Sequence, residues 1–156
     1  MEETEVKIEI NKEILERIVL LLGQPEFFIQ ENWIYSLSNG FLRVRLEKGI
    51  FLLTFKGIRK KDNPFNCREE IELKVGSSEI LTILERLGLV QELNYKKKRA
   101  NFKVNNCILS LDILPGNKKY IEIEGNKKEI NDVLKLLKLN NSEIENRPYQ
   151  EILKNV

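Results

Sequence analysis

Histidine is missing altogether from this 156-residue chain, and cysteine nearly so, with Cys67 and Cys107 alone. Without histidine there is no Ser-His-Asp or Cys-His catalysis and no His-ligated zinc site. The two cysteines lack metal-ligand spacing and fit packing positions in a reduced protein. Neither glycine-rich phosphate motif occurs, GxxxxGK[ST] or GxGxxG, so any phosphate must be held by side chains. No apolar run approaches the length of a bilayer span, and the acidic start has no basic signal-peptide segment. The expectation is a cytoplasmic protein with no membrane partner. Aromatics make up only 8%, and 26 basic residues are nearly cancelled by 24 acidic ones. That balance argues against stacking-based or phosphate-tracking binding of nucleic acid.

What remains is a chemistry of carboxylates, lysine, arginine, tyrosine or a bound ion. The length and a hydrophobic content of 42% suit one folded domain over residues 1–156. Alternating residues 3–10 read as a strand, after which Asn11 can cap a helix reaching about Leu22 and closed by Gly23. Residues 27–35 read as extended. Asn39-Gly40 and Lys48-Gly49 turn the chain into strands 41–47 and 50–57. Residues 58–66 read as a loop, and strand signal resumes over 67–75. Ser77 or Ser78 can cap a helix to about Leu87. A long segment over 90–104 turns at Asn105-Asn106 into 107–114, and Pro115-Gly116-Asn117 turns into 119–125. A third helix is expected over 127–139, and the end, from Arg147 to Leu153, reads as a short docked segment.

The strands share one device. Successive side chains point to opposite faces, so Glu3, Glu5 and Lys7 line one face while Val6, Ile8 and Ile10 line the other. The same parity groups Arg43 with Arg45, Thr54 with Lys56, and Arg68 with Glu70 and Glu72. It also groups Lys97 with Arg99, Ser110 with Asp112, and Glu122 with Glu124. An ordinary antiparallel sheet turns a polar face to water. Here the polar faces are dominated by ionised groups that segregate by strand, whereas a surface tuned for solubility mixes signs. Closing about eight strands into a barrel with charges inward would set acids and bases across a wet tunnel. Clustered guanidinium groups call for a polyanion, and clustered carboxylates for a hard cation such as Mg²⁺ or Mn²⁺. A metal-bound oligophosphate meets both demands.

Seven blocks in order then resemble one family: Glu3-x-Glu5-x-Lys7, LRVR (42–45), TFKG (54–57), REEIEL (68–73), KKR (97–99), LDILPG (111–116) and YIEIEG (120–125), with PYQEIL following. They are similar to the CYTH family, the class IV adenylyl cyclases and thiamine triphosphatases also called triphosphate tunnel metalloenzymes. The resemblance implies an α+β fold, an eight-stranded antiparallel β-barrel with a charged interior and helices packed outside. It implies that Lys7, Arg43, Arg45, Lys56, Lys97 and Arg99 hold a triphosphate. It implies that Glu3, Glu5, Glu122 and Glu124, with Asp112 and further help from Glu70 and Glu72, hold Mg²⁺ or Mn²⁺. Lys56 and Tyr35 are the candidates for orienting an attacking water. The implied substrate is inorganic triphosphate, thiamine triphosphate or ATP, and the implied assembly a monomer or homodimer. The nucleotide-fitting histidine motif of cyclase-type members is absent, and the interval from Tyr35 to Leu42 is too short for that insertion. Hydrolysis is therefore expected over cyclisation of ATP to cyclic AMP and pyrophosphate, and a non-catalytic binding module is the third reading.

Overall fold

A computed structural model describes residues 1–62 and 64–155. Along the chain lie β1 (Glu2–Glu9), α1 (Lys12–Leu22), β2 (Phe28–Leu37), β3 (Gly40–Glu47), β4 (Ile50–Gly57), β5 (Lys60–Asp62) and β6 (Phe65–Val75). There follow α2 (Glu79–Arg86), β7 (Gln91–Val104), β8 (Cys107–Ile113), β9 (Lys119–Glu124), α3 (Lys127–Leu136) and α4 (Tyr149–Lys154). Asn11 caps α1 as its sequence position suggests, its side chain accepting from the Ile14 amide at 2.9 Å. Asn126 does the same for α3 with the Glu129 amide.

Eight of the strands pair antiparallel in the order β1-β9-β8-β7-β2-β3-β4-β6, and a β1–β6 pairing returns the order to its start. The result is a ring of eight strands in an α+β fold. Two strands bend to make it. The start of β7 pairs with β2 and its end with β8, while the end of β6 pairs with β4 and its start with β1. The loop expected over 58–66 is a correction in part. Its residues 60–62 form β5, which continues the line of β4 along β6, one residue out of step. Asn63 of that segment, like Val156, lies outside the described residues. Arg59, in the same segment, is half-buried and donates to Asn146 Oδ1 at 2.7 Å. α3 stops at Leu136, three residues short of expectation, where Lys138 takes a positive φ of 56°.

Three helices cover the outer faces. Val6, Ile8, Leu109, Leu111, Ile121 and Ile123 pack with Ile18 of α1 and with Ile130, Val133 and Leu134 of α3, burying Cys67 and Cys107 among them. Leu84 of α2 packs with Tyr35 and Val44. The fourth helix departs from the expectation that all helices pack outside. Tyr149 and Ile152 of α4 pack with Ile34, Tyr95 and Tyr120, residues of the charge-bearing faces. Those faces carry an apolar patch at one end of the ring, and α4 is what buries it. No helix among the described residues is long and apolar enough to cross a membrane.

Candidate active site

The strand faces that alternate with the outer core meet at a cavity of about 250 Å³. Its lining includes Glu3, Glu5, Lys7, Arg43, Arg45, Lys56, Arg68, Glu70, Glu72, Lys97, Arg99, Glu122 and Glu124. Register explains the gathering. β1 sets Glu5 against Glu124 and Lys7 against Glu122 on one side, and Glu3 against Arg68 on the other. β4 sets Lys56 against Glu70 and Thr54 against Glu72. In ring order β1 stands four strands from β2 either way round. The acids of β1 and β9 therefore face the bases that β7 and β3 place on either side of β2.

Burial makes these charges strong. Glu5, Lys7, Arg45, Lys56, Arg68, Lys97 and Asp112 are all buried. On the basic wall, Lys97 Nζ is 2.9 Å from Asp112 Oδ2, and Arg99 donates to both oxygens of Asp112, at 2.7 and 2.5 Å, and to Glu122. Burial and then Arg99 pull the Lys97 ammonium down to about 7. Burial, Arg43 and Arg99 likewise pull Arg45 down to about 9. Burial is the larger cause of each shift, and the neighbouring guanidinium groups add to it, so these cations crowd one another. The buried Nε atoms of Arg43 and Arg68 have no hydrogen-bond partner, so each is a donor awaiting an acceptor.

The acidic wall shows the opposite shortage. Lys56 Nζ bridges Glu3 at 2.8 Å and Glu70 at 2.7 Å, and Arg68 lies 3.8 Å from Glu3 and 3.6 Å from Glu5. Asn66 donates to Glu5 at 3.1 Å. Glu122 is held well below the usual carboxylate range, Arg99 and Lys7 outweighing its burial. Glu124 is pushed up to about 7, by desolvation and then by Glu3, Glu5 and Glu70. A carboxylate raised by other carboxylates lacks a cation.

This all-oxygen donor set suits Mg²⁺ or Mn²⁺ rather than zinc. No three acidic or sulfur-bearing side chains among the described residues already stand as a ready-made metal cluster. That still fits Mg²⁺, which commonly takes one or two carboxylates and completes its shell with substrate phosphates and water.

Two candidates sit elsewhere. Tyr35 does not reach the cavity. It follows Ile34, which lines the cavity, so alternation turns the Tyr35 ring outward onto Val44 and Leu84. Its proposed part in orienting water is withdrawn. Asp112 is fully buried behind the lining, and its oxygens are taken by Lys97, Arg99 and the Tyr149 hydroxyl, which donates to Oδ2 at 2.7 Å. It orients two cations instead of presenting a free ligand.

Sequence reasoning passed over Tyr149 and left Arg68 out of the site. The Lys7 and Lys97 ammonium groups lie 4.4 and 4.5 Å from the centre of the Tyr149 ring, a position that favours cations. Its signal was the tyrosine of PYQEIL, beyond the last charged strand. Arg68 shared strand parity with Glu70 and Glu72, and that parity was the signal that could have found it.

Residues 1–149 match the CYTH domain family. The chain belongs to that family. A Methanocaldococcus jannaschii protein that carries a provisional name as an adenylate cyclase is 27% identical over 96% of each chain. The solved structure of a Pyrococcus horikoshii protein superposes with a TM-score of 0.82 at 29% identity, over 96% of this chain and 98% of that one. A Hippeastrum protein, named provisionally as an adenylyl cyclase and described as having a dominant triphosphatase activity, shares the CYTH fold at a TM-score of 0.72. It is 17% identical, over 98% of this chain and 95% of that one.

Proposed function

We propose that the ring, acting as one domain over residues 1–156, binds a triphosphate along its cavity with a divalent ion and hydrolyses the terminal anhydride. The observation that carries this reading is the division of the cavity into a wall short of anions and a wall short of cations. A triphosphate would answer the first, and Mg²⁺ or Mn²⁺ held by the carboxylates would answer the second. Arg43, Arg45, Lys97, Arg99 and Lys7 bind the phosphate oxygens, and the orphaned Nε of Arg43 gains an acceptor. Glu3, Glu5, Glu122 and Glu124 would hold the ion, with Glu70 and Glu72 beside them. Bound there, it would neutralise phosphate charge.

Water attacks the terminal phosphorus in line with the bridging oxygen. The P–O bond to that oxygen breaks, releasing orthophosphate and leaving the shortened chain. Charge grows on the leaving oxygen, and the fixed guanidinium groups stabilise it without having to reorganise. Lys56, held between Glu3 and Glu70, would orient the water.

A second reading is cyclisation, in which a ribose hydroxyl attacks the α-phosphorus and pyrophosphate leaves. The name of the Methanocaldococcus relative favours it. The missing histidine motif and the Leu37–Gly40 turn, too short to cradle a nucleoside, favour hydrolysis. Incubation with inorganic triphosphate, thiamine triphosphate and ATP, each with Mg²⁺ or Mn²⁺, tests both. Orthophosphate from at least one substrate, with little or no cyclic AMP, is the expected result. Cyclic AMP and pyrophosphate in equal amounts would make the protein a cyclase. Tight metal-dependent binding without turnover would make it a binding module.

A further inference from the structure

A second chamber, of about 460 Å³, opens beside the first. It shares Phe41, Arg68 and Pro148 with the cavity and adds Ile58, Arg59 and Asn66. Register places the junction. Phe41 pairs with Lys56 across β3 and β4, and Arg68 pairs with Glu3 across β6 and β1. Directly opposed residues of a sheet share a face, so Phe41 and Arg68 stand beside the Lys56–Glu3 contact. The chamber therefore adjoins the end of the cavity where Lys56 would hold the attacking water.

Its chemistry differs from that of the cavity. Three of its side-chain atoms are buried without a hydrogen-bond partner, the Nε of Arg59, the Nε of Arg68 and the Oδ1 of Asn66. Arg68 and Asn66 are only 7% and 8% exposed. Asn66 gives its Nδ2 to Glu5, which turns Oδ1 away from that carboxylate. Lys154 and Arg147, which also line the chamber, are already paired with Glu92 and Glu145. Two donors and one acceptor are thus left over, beside the apolar surface of Phe41, Ile58 and Pro148.

A hydroxyl group answers this set, because it gives one hydrogen bond and accepts two. An amine would arrive protonated and meet two guanidinium groups. A bare phosphate chain would gain nothing from the apolar wall. The fit is to a small polyol, a carbon skeleton bearing several hydroxyls.

We propose that the chamber seats a small polyol whose hydroxyl takes the place of the attacking water, so that the protein also transfers the terminal phosphoryl group to an alcohol. The inference rests on the hydrolytic reading, from which it takes the phosphoryl donor and Lys56. The alcohol oxygen attacks the terminal phosphorus and forms the new P–O bond. The bond to the bridging oxygen breaks, and its electron pair stays with the shortened chain. That chain also takes up the hydroxyl proton, so inorganic triphosphate and alcohol become a phosphate ester and pyrophosphate. Hydrolysis is the same displacement with water as the acceptor. An alcohol held against the phosphorus has an effective concentration with which bulk water must compete.

The test is incubation of the wild-type protein with inorganic triphosphate, Mg²⁺ and either glycerol or D-ribose, followed by phosphorus NMR. A phosphate ester should form, in a ratio to orthophosphate about tenfold or more above the molar ratio of alcohol to water. Ile58→Trp fills the chamber from an exposed position, and Arg59→Ala removes one of its donors. Each should cut ester formation about tenfold or more. Orthophosphate release without alcohol, and the melting transition, should stay as in the wild type. Ester formed only in proportion to the alcohol present would overturn the transfer and leave hydrolysis standing. Ester formation indifferent to both variants would overturn it too, as would equal loss of ester and orthophosphate in both. Absence of any turnover would overturn the hydrolytic reading, and the transfer with it.

Discussion

At the scale of single residues, the site's behaviour follows from how each charge is buried and by what. Lys97 titrates near 7 in the empty site, because burial and Arg99 oppose its proton. A raised pH therefore removes a positive charge from the wall proposed to bind phosphate. The expected outcome is a descending limb in the pH profile of kcat/KM with its midpoint near 7, since that ratio reports the free enzyme. Lys97→Arg keeps the charge at every working pH, so its profile should lose that limb. An unchanged limb in the arginine variant would assign the titration to another group.

Arg45 and Glu124 separate the two walls. Arg45→Ala removes a proposed phosphate ligand on the wall across the ring from Glu3, Glu5 and Glu124 and should raise KM for the triphosphate. The loss of one charge-assisted contact corresponds to about tenfold or more, at roughly 1.5–3 kcal/mol. Metal affinity of the empty protein should stay nearly as it was. Glu124→Gln should do the reverse in a titration with Mn²⁺, lowering metal affinity because a carboxylate is lost from a hard-cation site. The same effect from both substitutions would sink the division of roles.

At the scale of elements, turns and register decide whether charges converge. Gly40 opens β3 with φ at 143°, and a Cβ there would drive into the carbonyl oxygen of Lys56. Gly40→Ala should therefore cost about 2–4 kcal/mol in urea unfolding, from a strained backbone and a clash with a chain that has no side-chain freedom to yield. Weaker triphosphate binding should accompany it, since the β3–β4 pairing sets Arg43 against Thr54 and Phe41 against Lys56.

Elements with a clear period were legible in the sequence. Glu3, Glu5 and Lys7 alternate with Val6 and Ile8, so parity alone put them on a shared face. Asn11 and Gly23 marked both ends of α1. Tyr35 was misplaced because its neighbourhood is apolar on both faces, Ile34 inward and Tyr35 outward, so polarity could not say which face looks to the cavity. Tyr149 was missed because nothing in a six-residue helix says which surface it lies on. The family resemblance made Asp112 a metal ligand, and only its neighbours Lys97, Arg99 and Tyr149 show that its oxygens are already engaged.

At the scale of the whole molecule, the near-zero net charge conceals two fields of opposite sign facing each other across one ring. Each wall alone is frustrated. Burial and then Arg43 and Arg99 depress Arg45, burial and then Arg99 and Arg45 depress Lys97, and burial and then Glu3, Glu5 and Glu70 raise Glu124. A triphosphate entering without a cation relieves the basic wall but brings its own negative charge towards the carboxylates. A cation entering alone relieves the carboxylates but adds to the field felt by the arginines. Together they neutralise both walls and each other, so binding of either should favour the other by the same factor. Thermal unfolding measures this, because a ligand at a hundred times its Kd stabilises the folded state by about 2.7 kcal/mol. The melting temperature should rise little with Mg²⁺ alone and modestly with inorganic triphosphate alone. With both present the rise should exceed the sum of the two, and EDTA should return it to the triphosphate value. Strictly additive shifts would mean that the walls bind independently, and that the facing of acids and bases across the ring has no part in holding a metal-bound triphosphate.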